Sequence, residues 1–87
     1  MKEKIRKIRE KSGMNRTEFA ERTGIQAKTW SNIENGLQKA NEDHLLAITK
    51  EWPEYALWLM TNQTAPECGQ ISPELEEIRV NLKQGTQ

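Results

Sequence analysis

The stretch TEFAERTGIQAKTWSNIENG, Thr17 to Gly36, constrains the fold more than any other part of the chain. Apolar residues recur at helical spacing on both sides of Gly24, the mark of two short helices that each turn one face to a core. So short a joint forces the second helix to cross steeply over the first. Gly24 suits the left-handed conformation that ends the first helix, and the small Ala20 lets the pair approach closely. The apolar set is then Phe19, Ala20, Thr23, Ile25, Trp30 and Ile33, which leaves Ala27, Lys28, Asn32 and Asn35 pointing outward.

The flanking sequence supplies the rest of a small helical unit. Ile5 and Ile8, three apart in KEKIRKIREKSG, predict an amphipathic helix ending near Ser12 and Gly13. Asn15 with Glu18 three residues on forms a variant capping box, so the next helix is expected over about Arg16 to Thr23. A third begins at Gln26 or Ala27 and reaches Glu34 or Asn35. A fourth follows Ala40 or Asn41, with Glu42 and Asp43 in its first turn and Leu45, Leu46, Ile48 and Trp52 on its apolar side. Pro53 stops that helix and opens a fifth, which carries Tyr55, Trp58 and Leu59 inward and ends near Asn62. Residues 62–72 are polar, with proline and glycine, and read as a linker. Ser72 and Pro73 then start a last helix with acidic Glu74, Glu76 and Glu77 in its first turns and a narrow stripe of Leu75, Ile78 and Leu82. The expected organisation is an all-α five-helix unit over residues 1–62, followed by a linker and a short amphipathic helix over residues 63–87.

At 87 residues there is room for a modest core and little room for a deep catalytic cleft. The net charge of zero hides an asymmetry: residues 1–39 carry ten Lys and Arg against five acids, and residues 40–87 carry three against eight. A basic half suggests a polyanion partner, although solvated helix surface would look the same by charge alone. The lone Cys68 excludes an intramolecular disulfide or a multi-cysteine zinc site. No apolar run approaches the ~20 residues that cross a bilayer, and MKEKIRKIREK does not lead into a secretory core, so a cytoplasmic protein without membrane association is expected.

NRTEFAERTGIQAKTWSNIENG, with its FA, TGI and IENG elements in register, resembles the Cro/C1-type, lambda-repressor-like helix-turn-helix family of bacterial and phage regulators, also called the xenobiotic-response-element type. The resemblance covers roughly residues 2–62. It implies an all-α five-helix domain that binds double-stranded DNA, usually as a homodimer on a pseudo-palindromic operator, with the second helix of the pair in the major groove. By position it implies base reading by Ala27, Lys28, Thr29 and Asn32, and phosphate contact by Arg16, Ser31, Asn35 and Lys39. It also implies that Arg9 and Glu34 pair as a structural brace between the first helix and the reading helix. The side chains suit these places: lysine donates to guanine O6 or N7, asparagine pairs with adenine, and an alanine methyl meets a thymine methyl. Arg16 stands where glutamine is usual, Gln26 replaces a Ser or Thr cap, Ala27 replaces a polar reader and Trp30 replaces Ile or Val.

No set of His, Cys, Ser and carboxylate stands at catalytic spacing, so no catalytic residues, no metal site and no cofactor are expected. His44 is a lone histidine early in a helix, and Cys68 beside Glu67 lacks the positive surroundings that activate a thiol. Trp52, Tyr55 and Trp58 read as core, since their neighbours Glu51 and Glu54 would repel a nucleic acid. The stripe of Leu75, Ile78 and Leu82 could fold back on the core or pair two copies, and dimerisation is the expectation. The functional expectation is a repressor. An antitoxin or adaptor with a protein partner, binding DNA for autoregulation, is the alternative.

Overall fold

The computed structural model describes the backbone of residues 1–85 and the side-chain surroundings of residues 1–79. Six α-helices follow one another: α1 (Lys2–Lys11), α2 (Arg16–Thr23), α3 (Ala27–Glu34), α4 (Glu42–Glu51), α5 (Ala56–Thr61) and α6 (Pro73–Gly85). Single 3₁₀ turns at Pro53–Tyr55 and Pro66–Cys68 precede α5 and α6. The all-α class expected from the sequence is the class observed.

Local chemistry accounts for the boundaries. Asn15 Oδ1 accepts from Glu18 N–H at 2.8 Å while Glu18 Oε1 accepts from Asn15 N–H at 3.0 Å, which satisfies two donors the helix end would leave unpaired. Gly24 ends α2 at φ 76°, a left-handed conformation that costs glycine little. At α4 the same reciprocal box is built with histidine: His44 N–H donates to Asn41 Oδ1 at 3.1 Å, and His44 Nδ1 accepts from Asn41 N–H at 3.0 Å. Accepting at Nδ1 leaves the proton of the neutral ring on Nε2. His44 is buried, so its place in the chain is explained by capping and packing against Trp30.

The core lies where α1 to α5 converge, and Ile5, Ile8, Phe19, Trp30, Ile48 and Leu59 are completely buried in it. Phe19 is its hinge point, edge-on to Trp30 with centroids 4.9 Å apart and stacked on Trp52 at 5.3 Å. Thr23 Oγ1 fixes the turn between α2 and α3. It donates to Phe19 C=O at 2.8 Å and accepts from Trp30 Nε1 at 2.9 Å, so the large indole is buried with its N–H satisfied.

Residues 62–72, expected as a linker, are tied to the core. Ala65 and Gln70 pair through two backbone hydrogen bonds, Ile71 N–H donates to Glu54 C=O at 2.8 Å, and the Ile71 side chain is buried. Gln70 Oε1 accepts from Leu57 N–H at 2.9 Å and its Nε2 donates to Pro53 C=O at 3.0 Å. Composition hid this, because Gln70 acts through contacts distant in sequence. Continuing from this anchor, α6 lies against α1. Lys7 Nζ donates to Glu74 Oε1 at 2.6 Å, Tyr55 Oη donates to Glu76, and Leu75 packs on the core.

Candidate nucleic-acid interface

At 100° per residue, the buried Trp30, Ile33 and Glu34 define the inner side of α3. The opposite side then carries Lys28, Asn32 and Asn35, spaced i, i+4 and i+7, with Ser31 beside them. Lys28 and Asn35 are exposed and Asn32 and Ser31 are partly buried, while Ala27 and Thr29 fall on the margins of the face, both partly buried. Lys28 makes no ion pair among the described residues. Asn35 Nδ2 reaches Ser31 Oγ at 3.4 Å, a contact easily exchanged for another acceptor. Gln26 precedes the helix without a side-chain cap, and no acid stands in the first turn. The positive end of the helix dipole is therefore left uncompensated.

The inner side is held by one carboxylate. Arg9 Nε and Nη2 donate to the two oxygens of Glu34 at 2.8 and 3.0 Å, and Arg9 Nη1 donates to Met14 C=O at 3.0 Å. The Glu34 side chain is fully buried, and its hydrogen bonds hold the Arg9 guanidinium above its ordinary pKa. This bidentate pair locks the end of α3 to α1.

Arg16 is drawn into the same knot. Its Nη2 donates to Glu34 Oε1 at 3.3 Å, and its buried Nε has no hydrogen-bond partner among the described residues. Arg6 approaches the same oxygen at 3.9 Å and Glu10 at 4.0 Å. More guanidinium gathers here than Glu34 neutralises, so the foot of α2 stays electropositive. The sequence contained a signal for Arg6, which sits one turn before Arg9 on α1. It contained none for the Arg16 contact, because that contact depends on where α2 crosses α3.

Lys39 is exposed in the segment after α3 and unpaired among the described residues. Of the apolar stripe on α6, Leu75 faces the chain's own core, Ile78 is 54% exposed, and the side chain of Leu82 lies outside the described residues. Cys68 is exposed. No described helix is long and apolar enough to cross a membrane.

The family model for a helix-turn-helix domain matches residues 3–62, which span α1 to α5 and the turn that carries these side chains. The chain belongs to the Cro/C1-type helix-turn-helix family. Repressor protein C of Escherichia phage P2 is similar to it, 38% identical over 81 residues that cover 91% of this chain and 82% of that protein. As a member of the family it is a DNA-binding regulator, with α2 and α3 as its helix-turn-helix pair. In this helix-turn-helix protein the turn is sealed by Gly24 and by Thr23, and the second helix is buttressed from behind by Glu34.

Proposed function

We propose that this chain is a sequence-specific repressor that occupies a pseudo-palindromic operator as a dimer, with α3 in the major groove. The observation that carries the proposal is the division of α3. Its inner side is fixed by Trp30, Ile33 and the Glu34 knot, and its outer side holds out Lys28 and Asn32. A rigid rod bearing a donor and a bidentate amide is what direct readout of base edges needs. Ala27 and Thr29 complete the reading edge. Arg16, Ser31, Asn35 and Lys39 fix register on phosphates, and the surplus positive charge at Arg16 supports its part in this. Repression is supported by the likeness to the phage protein named a repressor. Pairing of two copies through α6 is supported by Ile78, a large apolar side chain left open to solvent.

Selection of bound fragments from randomised duplex DNA by the full chain tests the whole proposal. A two-fold symmetric motif is expected, with half-sites one helical turn, about 34 Å, apart. Recovery of an unenriched pool would overturn it.

A further inference from the structure

The side of α1 that meets the end of α3 carries Lys2, Arg6 and Arg9, spaced i, i+4 and i+7. Arg9 and Arg6 spend their charge on Glu34 and Glu10; Lys2 does not. Lys2 is exposed, makes no ion pair among the described residues, and extends over Gly36, the residue after the C-cap of α3. Its position is close enough that a methyl group placed on Gly36 would come within 3.2 Å of Lys2 Nζ. Gly36 also has φ 77°, so it leaves both the backbone turn and the space that Lys2 occupies. Lys2, Glu3, Gly36, Gln38 and Lys39 line one open groove of about 480 Å³ together with four apolar residues. Two unpaired ammonium groups thus flank the segment that leaves the reading helix, beside Asn35.

We propose that Lys2 is a further DNA-backbone contact, which grips a phosphate together with Lys39 at the C-terminal end of α3 and so recruits the first helix to the interface. The proposal rests on α3 being a DNA-reading helix. Two lysines converging on a groove without a buried carboxylate between them suit a phosphodiester oxygen, which accepts from both and releases a condensed counterion on binding. Glu34 is already shared by Arg9, Arg16 and Arg6, and neither lysine pairs with it. An ammonium at a helix C-terminus also complements the dipole, and that purely structural role has a different signature.

The test is the salt dependence of binding of the full chain to a labelled random-sequence duplex of about 30 base pairs, measured between about 50 and 200 mM salt. Loss of one phosphate contact lowers the slope of log K against log salt by about 0.9 per bound chain, so Lys2→Gln should lose about 3.5-fold less affinity than the parent over that range. Lys2→Arg should keep the parental slope. Parallel lines for Lys2→Gln and the parent would overturn the proposal, and if accompanied by a lower unfolding midpoint they would assign Lys2 to helix capping. A parent chain that binds no duplex would instead remove the DNA-reading role of α3, and this proposal with it.

Discussion

At the scale of single residues, Thr23 shows how a small polar group settles a large apolar one. Its hydroxyl is the acceptor for Trp30 Nε1 and is itself satisfied by Phe19 C=O, so the indole is buried without an orphaned donor. Thr23→Val keeps the shape and removes the acceptor, and should cost about 1–3 kcal/mol in denaturant unfolding. Adding Trp30→Phe, which removes the donor as well, should bring the coupling between the two sites into view as non-additivity. Strict additivity would show that the hydrogen bond contributes nothing. On the outer side of the same helix, Lys28→Ala and Asn32→Ala should each flatten base preference at one operator position by about 1–3 kcal/mol while leaving unfolding almost unchanged. Binding to a panel of operator substitutions measures this, and two variants that rank the panel like the parent would mean that other residues read the bases. Lys28 and Asn32 were legible in the sequence, since helical periodicity places them opposite Trp30 and Ile33. Arg16 was legible as a cation, yet its hold on Glu34 was not.

At the scale of elements, α5 is the informative case. Six residues are too few for an independent helix, and it stands because both ends are held from elsewhere in the chain. Gln70 accepts from Leu57 N–H at its start, and Lys4 Nζ donates to Trp58 C=O at 3.2 Å and Leu59 C=O at 3.1 Å at its end. The docking of α6 has an electrostatic edge on each side of neutrality. The Lys7 hydrogen bond holds the Glu74 carboxyl below the usual carboxylate range, so its contribution is present above about pH 4.5 and is lost as pH falls through the lowered value. Burial, reinforced by the bond to Glu76, pushes the Tyr55 phenol above its usual range. That contribution is complete below about pH 10 and is lost as pH rises towards the raised value. Thermal unfolding midpoints followed against pH should therefore fall at both extremes. Lys7→Met should flatten the acid limb and Tyr55→Phe the alkaline limb; an alkaline limb unchanged in Tyr55→Phe would show that the Tyr55–Glu76 contact does not set it.

At the scale of the whole molecule, the split of charge along the chain is not a split in space. Acidic α6 returns to basic α1, and Glu74 takes up Lys7 on a side of α1 different from the one that carries Lys2, Arg6 and Arg9 towards α3. The fold thereby covers one basic flank and leaves another for a polyanion. Dimerisation belongs to this scale. The pairing proposed through α6 predicts that Ile78→Glu shifts the full chain from dimer to monomer in sedimentation equilibrium at micromolar concentration and weakens operator binding, whereas an unchanged mass would count against that pairing. The sequence by itself determined the helices, their caps at Asn15 and Gly24, the apolar side of α1 to α5 apart from the exposed Leu46, and the outward Lys28, Asn32 and Asn35 on α3, whereas Ala27 falls at the margin. These follow from spacing and local backbone preference, which act over a few residues. Only the tertiary structure decided that residues 62–72 are anchored through Gln70 and Ile71, that Arg6 and Arg16 join Arg9 around one carboxylate, and that Lys2 ends above Gly36. Those contacts join residues 13 to 34 positions apart, and no local periodicity encodes where such partners meet.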